Sequence, residues 1–298
     1  MKNILIIGCG LIGSSVLRAV YSRKLSKNIY IYEKSKKNVS IIKKLKIGFK
    51  IINKFNNINI NFDLVIFCTP MSQYSKIISK INKFLTNETI VTDVGSTKEL
   101  SSKNVKKQLK KNTTWIPSHP IAGSEVSGAK YGEKNLFKNK WCVLIKEKNI
   151  KKIHLSRLKS FWKKLGAKVI MMSPKEHDMV FSITSHLPHL IAYNLVKTAT
   201  DFEKEKKYNL IKYSAGGLRD FSRIAASNEI MWRDVFFSNQ KNIIFAIDLF
   251  IKNLNFFKND IKLKNNNRII KKLIDTKKVR KKIINLKQDI NKPDFGRF

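Results

Sequence analysis

The feature that most restricts the fold of this chain is a glycine-spaced turn close to its start. The apolar run Ile4–Ile7 leads directly into Gly8-Cys9-Gly10-Leu11-Ile12-Gly13, and the stretch Leu11–Ser22 that follows has helical spacing. Gly-x-Gly-x-x-Gly alone is a weak signal, but between a strand and a helix it becomes specific. Gly8 allows the tight turn, Gly10 lets the backbone approach a pyrophosphate, and Gly13 permits close helix–strand packing. The helix amino terminus, beginning at Leu11 and Ile12, then offers unpaired N–H groups to the phosphates. Glu33 follows Gly13 at the end of the second apolar run, where a carboxylate accepts hydrogen bonds from the adenosine ribose hydroxyls. A carboxylate repels a 2′-phosphate, so the expected cofactor is NAD rather than NADP, a preference that Ser35, Lys36 and Lys37 partly soften.

The rest of the chain extends this pattern. Apolar runs at Ile29–Tyr32, Leu64–Cys68, Thr89–Asp93, Trp115–Ser118 and Trp141–Ile145 alternate with helical stretches at Lys36–Leu45, Ser72–Phe84 and Lys98–Lys110. Strands that are apolar throughout, separated by helices, point to a parallel sheet covered on both faces. Past about residue 148 the pattern changes. Ile150–Leu165 reads as a helix and Lys168–Met172 as one more strand. Helical periodicity then dominates, in Glu176–Thr198, Trp232–Lys258 and Arg268–Leu286. The expectation is α/β plus all-α: a doubly wound dinucleotide-binding domain over 1–148 and a helical domain over 149–298. With no Pro/Gly/Ser linker between them, the two are expected to pack tightly.

Composition excludes some classes and misleads about another. The 60 Lys and Arg residues outnumber the 21 Asp and Glu, for a formal charge of +39. Such a charge ordinarily points to nucleic acid. Here, however, the lysines are scattered along the chain (Lys34, Lys36, Lys37; Lys106, Lys107, Lys110, Lys111; Lys277, Lys278, Lys281, Lys282) and accompany many Asn and Ile residues. That is the signature of an A+T-rich coding sequence, so no specific nucleic-acid partner is expected. The apolar run at the start is too short to span a bilayer and lacks a signal-peptide layout. Cys9, Cys68 and Cys142 have no paired spacing, which fits reduced thiols in a cytoplasmic protein with no membrane partner.

Polar groups gather at strand ends, where open α/β sheets bind ligands. Cys68-Thr69-Pro70 ends the third strand, and Asp93-Val94-Gly95-Ser96-Thr97-Lys98 ends the fourth. Ser96 either caps the next helix or hydrogen-bonds a ligand. Ser118-His119-Pro120-Ile121-Ala122-Gly123-Ser124-Glu125 ends the fifth, and Pro120 holds His119 in an extended conformation. An imidazole so placed suits a general base. In the helical half, His186-Leu187-Pro188-His189 sets two imidazoles on one helix face, about two turns beyond His177 and Asp178. No HExxH pattern accompanies them and no metal is expected, so substrate contact or core hydrogen bonding is the reading. Gly216-Gly217-Leu218-Arg219-Asp220-Phe221-Ser222-Arg223 places Arg223 one helical turn after Arg219, suited to holding a carboxylate bidentately.

Taken together, five segments resemble the prephenate/arogenate dehydrogenases of tyrosine biosynthesis: Ile6–Ser15, Asp93–Lys98, His119–Gly128, His177–His189 and Gly216–Asp234. They stand in that family's order and cover residues 1 to about 260. The resemblance is to the monofunctional form. At Asn228-Glu229 the family usually has Asp-Pro, a change expected to alter a helix start but no substrate contact. The resemblance implies a homodimer through the helical domain and an NAD-dependent oxidative decarboxylation of prephenate, or of arogenate as the alternative. It gives His119 the role of base, with Ser96 bonding His119 or the substrate hydroxyl and Thr69 and Pro70 beside the cofactor. It gives Arg223 a substrate carboxylate, with Glu125 and Asp220 orienting or partly neutralising it. His189, Gly216 and Trp232 complete the substrate pocket, Trp232 lining the pocket or the dimer interface.

Overall fold

The computed structural model describes residues 1–55, 59–147 and 150–286. The first half consists of β1 (Asn3–Ile7), α1 (Leu11–Ser22), β2 (Asn28–Tyr32), α2 (Lys36–Lys43), β3 (Lys50–Ile51), β4 (Leu64–Phe67), α3 (Tyr74–Ile81), β5 (Ile90–Asp93), α4 (Glu99–Gln108) and β6 (Thr114–Trp115). These six strands form one parallel sheet in the order β3-β2-β1-β4-β5-β6. The order reverses between β1 and β4, which opens a crevice at their carboxyl ends. Every residue of β1 is buried, because its side chains supply a core on each face of the sheet. Ile4 and Ile6 pack with Val16 and Val20 of α1, and Leu5 and Ile7 with Ile77 and Ile78 of α3.

A second sheet departs from expectation. The run Trp115–Ser118 divides at Pro117, which fixes φ and has no N–H to donate. β6 ends at Trp115, and β7 (Ser118–Pro120) joins a separate three-stranded sheet with β8 (Trp141–Ile145) and β9 (Lys168–Met172). β8 runs antiparallel to β7 and parallel to β9, with α5 (Lys152–Lys164) as the crossover. The division expected at 148/149 falls on two residues outside those described. α5, expected with the helical half, packs on the first core instead, where Leu158, Phe161 and Trp162 join Ile4 and Ile6.

The helical half comprises α6 (Pro174–Phe181), α7 (Leu187–Lys206), α8 (Gly216–Ala225), α9 (Glu229–Ser238), α10 (Gln240–Lys262) and α11 (Asn266–Asn285). Two of the expected long helices are interrupted. A π-helical turn at Ser182–His186 separates α6 from α7, whose first turn holds Pro188. Asn239 separates α9 from α10. Among the described residues, no helix is long and apolar enough to cross a membrane.

Candidate active site

The glycine loop is closely packed below and open above. Gly8 has φ +88°, in the left-handed region that favours glycine, and a Cβ on Gly13 would lie 2.0 Å from the Gly8 carbonyl oxygen. A Cβ on Gly10 would meet nothing within 4 Å. α1 therefore starts beneath open space, and no side chain caps its first N–H groups. The Glu33 carboxylate stands beside the loop and accepts hydrogen bonds from the N–H of Cys9 at 2.5 Å and of Ser35 at 2.7 Å. Open backbone donors at a helix start, next to a carboxylate, fit the phosphates and ribose of a dinucleotide.

A cavity of about 1030 Å³ runs from this loop into the helical half. Gly10, Leu11, Ile12, Thr69, Pro70 and Ser96 line the sheet side, and His119 and Glu125 lie along the strand-end segment. Thr184, Ser185, His189, Arg223 and Trp232 close the far side. Gly8 and Gly13 lie buried beneath the loop, and Glu33 stands off the cavity wall. Gly216 and Asp220 sit on exposed α8, away from the wall formed by this chain.

Two expected contacts differ. Ser96 lines the cavity but neither bonds His119 nor caps α4. The first N–H groups of α4 go instead to Asp178, whose Oδ1 and Oδ2 accept from Lys98 N–H and Glu99 N–H, each at 2.8 Å. Asn228 N-caps α9 by accepting from Met231 N–H at 2.9 Å, so the helix start survives the family departure. Asn228 also borders the cavity.

The far wall is polar at one point and aromatic at another. The Arg223 guanidinium donates to Glu125 at 3.2 Å, and its buried Nε has no protein partner among the described residues. The N–H of Glu125 itself, more than any other group, holds its carboxyl below the usual range, with Ser124 and Arg223 adding to the effect. His189 stacks on Trp232 with ring centroids 3.9 Å apart, and Ser185 O lies 2.9 Å from its Nδ1. His186 lies buried beside Asn239 and meets Trp232 edge-on, with ring centroids 6.1 Å apart. Both imidazoles therefore pack against Trp232, His189 at the cavity wall and His186 in the core behind it.

Behind His119 lies a buried charged network that sequence spacing did not reveal. Lys98 donates to both Asp93 oxygens, at 2.8 and 2.7 Å, and to Ser118 O at 2.7 Å. Asp93 also accepts from Tyr74 Oη at 3.0 Å and from Ser118 N–H at 3.1 Å. This ties the end of β5 to β7 and fixes the strand that presents His119. Burial first, then His177 and Lys98, pushes the His119 imidazole well below 6.5, so it is neutral and able to accept a proton at neutral pH. The Asp93-x-x-x-x-Lys98 spacing was visible, but an ion pair turned inward has no periodic signature.

The fold and the site define a two-domain, nucleotide-binding protein of the dehydrogenase type, with a neutral imidazole at the meeting of its two halves. Residues 17–171 match the family model described as prephenate dehydrogenase, nucleotide-binding domain, and residues 173–287 the model described as prephenate dehydrogenase, dimerization domain. The chain belongs to the prephenate dehydrogenase family. It is 32% identical to the cyclohexadienyl dehydrogenase of Zymomonas mobilis over 85% of this chain and 86% of that protein. It is also 32% identical to the prephenate dehydrogenase of Bacillus subtilis, over 85% of this chain and 69% of that protein. Among solved structures, the prephenate dehydrogenase of A. aeolicus in complex with hydroxyphenyl propionate and NAD+ superposes with a TM-score of 0.89 at 33% identity, covering 95% of this chain and 98% of that one.

Proposed function

We propose that this chain catalyses NAD-dependent oxidative decarboxylation of prephenate, with His119 as the general base. The observation that carries the reading is the position of His119: a neutral imidazole on a rigid strand, lining one cavity together with the glycine loop and Arg223. Bound NAD would supply the acceptor for a hydride from the substrate carbon bearing the hydroxyl, and loss of carbon dioxide would then restore an aromatic ring and make the step irreversible. His119 takes the hydroxyl proton. Gly8, Gly10, Leu11, Ile12 and Gly13 receive the pyrophosphate at the α1 amino terminus, with Glu33 at the ribose and Thr69, Pro70 and Ser96 beside the nicotinamide end. Arg223 binds a substrate carboxylate, exchanging part of its pairing with Glu125 for the ligand. His189, held against Trp232, meets the substrate side chain.

Arogenate is the second reading, supported by the 32% identity to a cyclohexadienyl dehydrogenase. Gly216 and Asp220 enter the site under a further part of the proposal, a homodimer built on the exposed apolar faces of the helical half.

The deciding experiment is NADH formation by the purified protein with prephenate or arogenate, using His119→Asn as control. Reduction with prephenate that falls by roughly 10²–10⁴ in the variant, with NAD affinity unchanged, supports the assignment. Near-normal turnover in the variant removes His119 from the chemistry, and reaction with arogenate alone changes the substrate. Arg223→Ala is expected to raise KM roughly tenfold or more while kcat changes little.

A further inference from the structure

We propose that His177 and Asp178 are positioning residues that hold His119 as its Nδ1–H tautomer, leaving Nε2 as the basic atom on the cavity. The inference gives this tautomer a task only if His119 is the base read above, but the tautomer itself follows from hydrogen bonding alone.

Three side chains form a line. The Nδ1 of His119 lies 2.9 Å from the Nε2 of His177, and the Nδ1 of His177 lies 2.7 Å from the Oδ1 of Asp178. All three residues are buried. Direction along the line is set at the carboxylate end. Asp178 accepts the N–H of Lys98 and of Glu99, two donors at the amino terminus of α4 that keep it an acceptor. Burial raises its pKa from 3.8, and those two N–H groups oppose the rise. A carboxylate that only accepts requires His177 to carry its proton on Nδ1.

The next link follows from charge. Burial, then Lys98, then His186, lowers the His177 pKa from 6.5 to about 2, so this ring is neutral. A neutral imidazole protonated on Nδ1 has only a lone pair at Nε2. That lone pair needs a donor, and His119 Nδ1–H is the group facing it at 2.9 Å. His119 must then be unprotonated at Nε2. Among the described residues Nε2 has no hydrogen-bond partner, and the ring borders the cavity. When Nε2 takes the substrate proton, the resulting imidazolium keeps its Nδ1–H bonded to His177, whose own N–H is bonded to a carboxylate. The same logic orients a catalytic imidazole wherever a buried carboxylate stands behind it.

The test uses the full chain, labelled with ¹⁵N-histidine, at neutral to mildly alkaline pH. The His119 signals are identified by their loss in His119→Asn. Expected are a protonated, pyrrole-type Nδ1 and an unprotonated, pyridine-type Nε2. Asp178→Asn leaves one acceptor oxygen for three donors, the N–H groups of Lys98, Glu99 and His177, which weakens the hold on the His177 proton. His119 should then lose its single tautomer and gain an Nε2–H share, and turnover should fall about tenfold or more with KM within about threefold. His177→Gln, whose amide oxygen can accept from His119, should retain more turnover than His177→Leu. Asp178 also binds the start of α4, so if Asp178→Asn fails to fold, the wild-type spectrum and the His177 pair decide. Wild-type His119 found as Nε2–H or as an even mixture overturns the proposal. So does an unchanged turnover in His177→Leu. If the wild-type spectrum is as expected but neither prephenate nor arogenate is oxidised, the reaction reading falls and the tautomer assignment stands.

Discussion

The two halves of the molecule bury their apolar residues in different ways. The sheet of the first half is closed on both faces by α1, α3 and α5, and no residue of β1, β4 or β5 is exposed. The helical half leaves much of its apolar surface open. Phe237 is 72% exposed and Phe245 54%, while Leu249, Leu254, Phe256 and Leu273 on α10 and α11 are also exposed. Exposed apolar faces of that kind mark interaction surfaces. The first half thus completes its core within one chain, whereas the second, which matches a dimerization domain, has faces that only another molecule can cover. The candidate site lies where the two meet, between a scaffold closed within this chain and a helical half with exposed apolar faces.

The largest effect is expected from breaking the closed half at its tightest point. Gly13→Val puts a branched side chain where even a Cβ lies 2.0 Å from the Gly8 carbonyl. The variant should lose more than about 4 kcal/mol of stability, or fail to yield folded protein, as judged by circular dichroism and thermal melting. Lys98→Met leaves Asp93 buried and unpaired, and should cost about 3–5 kcal/mol in urea unfolding.

Acidification probes the join between the halves. Burial lowers the His186 pKa from 6.5 to about 4, so the folded form binds its proton less readily than the unfolded chain does. Its stabilising effect is complete above about pH 6.5 and is lost as pH falls through 4, with His177 extending the loss toward about 2. The unfolding free energy read from urea titrations should drop between pH 7 and 4.5, by roughly 2–3 kcal/mol from His186 alone. An unchanged stability over that range would mean that these rings titrate in the fold as they do in the unfolded chain.

In the open half, Phe245→Glu should weaken self-association by about 2 kcal/mol, or about thirtyfold in the dimer dissociation constant, read by sedimentation. The melting of the nucleotide-binding half should barely change. Loss of that half's stability in the variant would show that it, too, depends on the assembly. The smallest effect is expected for Asn228→Ala, which removes the cap of α9 and should cost about 1 kcal/mol in thermal or urea unfolding.

Much of this was legible from the chain alone. The glycine turn, the apolar strands and the helices between them arise from residues close in sequence, and periodicity reports such neighbours directly. His119, Glu125, His189 and Arg223 were found because strand ends and helical spacing place polar groups recognisably, Trp232 through the family resemblance, and all five line one cavity. Fold-level contacts were less visible. The split at Pro117 depended on Ser118 finding Leu144 as its partner in a second sheet, a choice the run Trp115–Ser118 does not encode.

The sequence by itself determined a dinucleotide-type sheet followed by helices, and an imidazole held extended by Pro120 at a strand end. Only the tertiary structure decided which groups stand behind that imidazole. His177 lies 58 residues from His119, and Asp178 reaches back 80 residues to the start of α4. Helix and strand patterns are written in side chains a few residues apart. A hydrogen bond over such separations exists only once packing has brought its two ends together and excluded the water that would otherwise compete for them.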